Sequence, residues 1–196
     1  MDSGRTALLV MDVQGSIVDR LGNPELLERL AAATAAARAG GVRVVYVTVG
    51  FRAGYPEVSP RNRSFSALSG SGQFVEGPAT EVHDAVAPQA GEVTVTKRRV
   101  SAFAGSDLDV ILRAGGIQSL VLTGISTSGV VLSTLRQAAD LDFDLIVLSD
   151  GCADGDDEVH RVLTEKVFPR QAHVTTVADW SRSLRGPSAA GSAVGP

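Results

Sequence analysis

Three places in this sequence carry residues whose types and spacing could do chemistry together. Asp12 closes the apolar run of residues 7–11. A carboxylate there loses hydration, which raises its pKa, and a neighbouring ammonium would lower it again. Lys97 opens the basic triplet Lys97, Arg98 and Arg99, directly after the strand-like residues 92–96. Its compact charge can hold a carboxylate or an anionic substrate in place. The third place is residues 124–134, where Gly124, Ile125, Ser126, Thr127, Ser128 and Gly129 break an apolar strand into a helix that continues with Val130 and Val131. Ser126, Ser128 and Ser133 have no histidine near them in this stretch, so each makes a poor nucleophile. Plainer readings stand beside these: Asp12 as a cap of the first loop or helix, the basic triplet as a solvated turn, and Gln14 as a solvated side chain rather than one that orients Asp12 or a substrate carbonyl.

The elements that must position these residues alternate. Residues 6–12 read as a strand covered on both faces, and a helix should follow. Asn23 as N-cap, Pro24 at the first helical position and Gly40 with Gly41 as the stop bound a second helix to about residue 39. Further strands are expected at residues 42–49, 92–96, 119–124, 144–149 and 173–177, and helices near 108–114, 128–141 and 157–168. Parallel strands need crossover connections, so the alternation gives an α/β fold: a single-domain, Rossmann-like three-layer sandwich with a mainly parallel sheet of about six strands and helices on both faces. Ligands in such folds bind beyond the carboxyl ends of the strands, where Asp12, Lys97 and Ser126 all fall.

Residues 50–78 are rich in Gly, Pro, Ser, Asn and Arg, with Phe51, Tyr55, Phe65 and Phe74 spaced through them. A segment this long inside a compact domain reads as a functional lid or binding loop. Phe51, Arg52 and Tyr55 from it, with Gln14, Phe103 and Ser126, are the candidate substrate contacts. The domain is expected over residues 1–185, and residues 186–196 read as a low-complexity tail.

Bulk properties exclude other classes. The 196 residues are 44% hydrophobic with a net charge of −4, enough for one large core and without the basic face of a nucleic-acid binder. The single cysteine, Cys152, rules out a disulfide framework or a multi-cysteine zinc site and reads as a small packed residue. His83, His160 and His173 lack metal-ligand spacing. With neither a leader peptide pattern nor an apolar run long enough for a membrane span, the chain is expected to be soluble and cytoplasmic.

Residues 8–14 (Leu-Leu-Val-Met-Asp-Val-Gln), Thr96 and Lys97 with residues 101–108, residues 124–127 and residues 133–138 resemble, in order and spacing, the isochorismatase-like hydrolases. The likeness runs from about residue 8 to 180. In that family an aspartate after the first strand, a lysine after the third and a cysteine at the start of the helix after the fourth form the catalytic group. The resemblance carries Asp12 and Lys97 over and places the cysteine position at Val130. It also implies a cis peptide between Ile125 and Ser126, with backbone N–H groups of Ser126 and Val130 aimed at a developing oxyanion. Valine offers no lone pair, so covalent hydrolysis through position 130 is excluded. The isochorismatases proper also lack the cysteine and cleave a vinyl ether with the aspartate as acid or base, although they carry glycine there. The family's nicotinamidases bind a metal through histidines after the second strand. Residues 49–56 contain none, so no metal and no cofactor are expected.

Two functions follow from this reading. One is a hydrolase for a small, anionic or carbonyl-bearing molecule that relies on Asp12 and Lys97 without a cysteine nucleophile. The other is a catalytically inactive descendant that binds a ligand or a protein through the same pocket. The resemblance further implies a homodimer or larger homo-oligomer, for which Trp180 gives mild support.

Overall fold

The computed structural model describes residues 2–185, so the expected tail at 186–196 lies outside the described residues. The chain forms β1 (Thr6–Met11), α1 (Gly15–Leu21), α2 (Pro24–Ala39), β2 (Arg43–Val49), the short α3 (Arg63–Ser66), β3 (Val93–Lys97), α4 (Leu108–Ala114), β4 (Ser119–Ile125), α5 (Leu132–Asp140), β5 (Asp144–Ala153), α6 (Asp157–Val162), β6 (His173–Thr175) and α7 (Val177–Leu184). All six strands are parallel, in the order β3-β2-β1-β4-β5-β6. No helix among the described residues is long and apolar enough to cross a membrane.

β1 is buried at every position because it lies mid-sheet with helices on both sides. Successive residues alternate between two cores. Leu9 and Met11 point to one face, with Leu112 of α4 and Leu135 of α5. Leu8 and Val10 point to the other, with Leu26 and Leu30 of α2 and Trp180 of α7. The Asn23 side chain caps α2 by accepting from the Leu26 N–H at 3.2 Å, with Pro24 at the first position. Trp180 is 2% exposed within its own chain, so it gives no support to a subunit contact.

Four expected elements differ, the first being the strand expected over residues 173–177, which ends at Thr175 and gives way to α7 at Val177. The helix expected from residue 128 begins with a wide π turn over Thr127–Val131 before α5. The one expected to run to 168 likewise passes from α6 into a π turn at Leu163–Val167 and a 3-10 turn. β5 extends to Ala153 because it bulges and then resumes pairing, with Val147 opposite Leu122 and Cys152 opposite Gly124. The long segment after β2 is also more built than a bare loop: Phe51, Tyr55 and Phe65 form a third apolar cluster with Val49.

Strand order sets where a site can form. β1 has β2 on one side and β4 on the other, so the connections leaving β1 and β4 diverge and open a crevice at their carboxyl ends.

Candidate active site

Two backbone features shape that crevice. Asp12 follows β1 with φ 56°, a left-handed conformation that non-glycine residues seldom adopt, and its N–H donates to the Val47 carbonyl at 2.8 Å. Across from it Gly124 has φ 136°, and a Cβ there would run into the Met11 carbonyl. Only glycine lets β4 close on β1 at this level, which sets Ile125 and Ser126 beside Asp12. The Ile125–Ser126 peptide is cis.

Lys97, at the end of β3, crosses beneath β2 to Asp12: Nζ lies 3.0 Å from Oδ2, with side chains only 3% and 8% exposed. Nζ also donates to the Arg99 carbonyl at 2.9 Å. Asp12 Oδ1 is buried and has no hydrogen-bond partner. Burial dominates and pushes the Asp12 carboxyl up to about 6, although the charge and hydrogen bond of Lys97 pull the other way.

These groups open onto a cavity of about 300 Å³, at the small end for ligand sites. Its walls are largely apolar: Ile17, Val49, Phe65, Phe74, Val100 and Ile125. Ser126, Gly129 and Val130 form the side contributed by the turn after β4, and Arg20 of α1 completes the lining. Gly129 is small for a reason, since a Cβ there would sit 2.7 Å from Ser126 Oγ. The turn is tied from behind: Ser128 N–H donates to Asp154 Oδ2 at 2.7 Å, and Thr127 Oγ1 is 2.8 Å from His160 Nδ1. A larger groove between α2 and α7, about 980 Å³, has alanine walls and none of the three candidate catalytic residues.

Asp12, Lys97, Val130 and Ser126 therefore meet at one cavity, while the other candidates do not reach it. Gln14 is fully buried and saturated, its amide donating to the Val49 and Thr80 carbonyls at 3.0 and 2.8 Å and accepting from Val49 N–H at 2.8 Å. That side chain holds the end of β2 and is not free for a substrate. Phe51 is buried against Phe65 and Tyr55, and the Tyr55 hydroxyl donates to the Gln73 carbonyl at 2.8 Å. Arg52 turns outward to Glu57. Phe103 packs into the core near Phe143.

The basic triplet divides its work. Lys97 points inward, while Arg98 donates to the Gly50 carbonyl and pairs with Glu76, and Arg99 donates to the Glu57 carbonyl. Both arginines clamp the long segment over the site, so neither is a solvated turn residue. Cys152 is buried, and burial pushes its thiol to about 12, which makes it inert. Among the described residues no cluster of His, Cys, Asp and Glu could hold a metal ion.

Six parallel strands thus set a buried Asp–Lys pair opposite a tight strand-to-helix turn. The isochorismatase domain model matches residues 6–179. The chain is 33% identical over 190 residues to YecD, an uncharacterized isochorismatase family protein of Escherichia coli O157:H7, covering 94% of this chain and 98% of the relative. It is 34% identical over 174 residues to the ureidoacrylate amidohydrolase RutB of Stutzerimonas stutzeri, covering 76% and 70%. The cysteine hydrolase structure from Pseudomonas syringae pv. phaseolicola superposes with a TM-score of 0.86 at 25% identity, covering 94% of each chain. This protein belongs to the isochorismatase family and is a hydrolase of that family.

Proposed function

We propose that the cavity hydrolyses a small anionic or carbonyl-bearing molecule without a covalent enzyme intermediate and without a cofactor. The observation that carries the reading is Asp12 Oδ1, a buried carboxylate oxygen left without a partner in a cavity that could admit a substrate or water. With its carboxyl near 6, Asp12 is mostly ionised at pH 7, by about ten to one. It accepts a proton from water as the water oxygen attacks the substrate carbon, then returns that proton to the leaving group. Lys97 holds the carboxylate in place and stabilises its charge. Backbone N–H groups of the turn at Ser126 and Val130 are the proposed oxyanion donors. RutB, by name, acts on ureidoacrylate, which makes amide-like C–N bonds the first class to try.

Val130 supports the non-covalent route. It is 2% exposed and fills the wall where the resemblance places the thiol of the cysteine enzymes. The same side chain favours a second reading, a catalytically inactive module that binds a ligand in a drier pocket. Asp12→Asn separates the two. The isostere keeps the fold and should lower hydrolysis across a panel of small amides and esters by about 10²–10⁴-fold; equal rates in variant and wild type overturn the hydrolytic reading. We also read the chain as a cytoplasmic homodimer or larger homo-oligomer, and a monomer mass in light scattering would overturn the oligomer.

A further inference from the structure

We propose that α1 is the gate of the catalytic cavity, and that the groove beside it, between the start of α2 and the end of β5, is the vestibule through which ligands enter. The groove holds about 610 Å³ and the cavity about 300 Å³. Ile17, Arg20 and Ile125 line both, so these three side chains form the partition between them. Asp12, Lys97 and Val130 are all buried, so a ligand larger than water reaches them only when a wall moves.

Four segments wall the cavity beyond the sheet, and three of them are pinned. The long segment after β2 is held by Arg98 on the Gly50 carbonyl and Glu76, by Arg99 on the Glu57 carbonyl, and by the Phe51 N–H on the Phe74 carbonyl at 2.7 Å. The loop after β3, which carries Val100, is held by the Arg98 N–H on the Ala104 carbonyl at 3.1 Å and the Ala102 N–H on the Thr134 hydroxyl at 3.0 Å. The turn after β4 is held by Asp154 and His160. The fourth wall, α1, has no such ties. Val18 is its single buried residue, and Ser16, Asp19 and Arg20 are exposed. Among the described residues no α1 side chain makes an ion pair or a hydrogen bond. Local opening falls to the element with the fewest buried contacts.

The ends of α1 suit a hinge. Gln14, just before it, is fixed by three hydrogen bonds to the backbone of Val49 and Thr80, and Asn23, just after it, caps α2. Between these anchors stand Gly15, where a Cβ would meet nothing within 4 Å, and Gly22 at φ 64°. Both have the backbone freedom to absorb a swing of the seven residues between Gln14 and Gly22. The gate serves a hydrolase and a binding module alike, so it stands apart from the hydrolytic reading.

The test uses Val130→Cys as a reporter of opening, labelled with N-ethylmaleimide. Wild type, whose only cysteine is the buried Cys152, is the control. When reclosing outruns labelling, the rate reads the fraction of open gate. The new thiol should label at least about tenfold more slowly than in the urea-unfolded chain. Adding Gly15→Ala restricts the hinge in the open state and should slow labelling by about two- to fivefold. Adding Glu76→Gln loosens the clamp on the long segment and should leave the rate unchanged. Hydrogen exchange on the unaltered chain is the second measurement: the Val18 and Gly22 amides should exchange at least about tenfold faster than those of Phe51, Glu76 and Ser128. Labelling as fast as in the unfolded chain, no response to Gly15→Ala, acceleration by Glu76→Gln, or equal exchange at the two sets of amides overturns the proposal. If Val130→Cys does not fold, the exchange rates decide alone.

Discussion

Two ion pairs flank β3, one formed by Glu92 just before the strand and one by Lys97 at its end, and they are built differently. At the start of β3, Glu92 receives Arg38 through two contacts of 2.8 and 2.9 Å, and one of its oxygens also accepts from the Gln89 N–H at 2.7 Å. Arg38 also donates to the Tyr46 hydroxyl at 3.0 Å. Both carboxylate oxygens are satisfied, and the hydrogen bonds from Arg38 hold the Glu92 carboxyl below its usual range. At the end of the same strand, Lys97 touches one oxygen of Asp12, leaves the other bare, and burial lifts that carboxyl to about 6. The first pair is closed and tethers α2 to the sheet. The second is open, with one buried carboxylate oxygen left unbonded, the arrangement that the proposed general base requires.

The largest effect beyond the loss of turnover should come from removing the ammonium. Lys97→Ala strands a buried carboxylate, and the cost should be about 3–5 kcal/mol in denaturant unfolding at pH 7, with the Asp12 pKa moving above 6. A loss below about 1 kcal/mol would mean that Lys97 and Asp12 are not coupled.

Next is pH. Asp12 binds its proton more tightly folded, at about 6, than unfolded, at 3.8. The native state therefore holds more protons in that window, and Asp12's own contribution to stability falls as pH rises from about 4 to 6, by about 3 kcal/mol in all. Asp12→Asn should lack that slope, so unfolding curves of the two proteins should diverge between pH 4 and 6. Activity should run the other way, with kcat/KM rising through pH 6 as the base ionises. A flat profile there would remove Asp12 as the base.

The smallest effect belongs to the closed pair. Glu92→Gln should cost about 1–3 kcal/mol through its lost charge-assisted hydrogen bonds and leave turnover unchanged. A fall in activity without a fall in stability would erase the distinction between the two ends of β3.

Why some of this could be read from sequence is visible in the same residues. β1 and β4 announce themselves because a strand covered on both faces must be apolar throughout, and Asp12 stands out as the polar residue that ends such a run. Lys97 stands out less, since β3 is a partly buried edge strand of alternating Val and Thr, and only its place at the strand end lifts it above Arg98 and Arg99. Side-chain direction in an irregular segment has no such signature. Phe65 and Phe74 face the cavity while Phe51 and Tyr55 pack behind it, a difference made by the path of the segment and the clamps of Arg98 and Arg99. Gln14 does not line the cavity, because its amide is consumed by the backbone of Val49 and Thr80. Arg20, one exposed arginine on a seven-residue helix, carries no periodic signal in the sequence, and its place in the cavity lining is visible only in the fold.

The left-handed backbone at Asp12 has a consequence for how this chain can change over time. Glycine would take φ 56° without penalty, but it would leave the Lys97 ammonium buried without its carboxylate. A single change that relaxes the backbone here therefore breaks the ion pair, and the strain and the pair can only be given up together. A lineage released from its reaction would meet less resistance in losing both Asp12 and Lys97 than in losing either one alone.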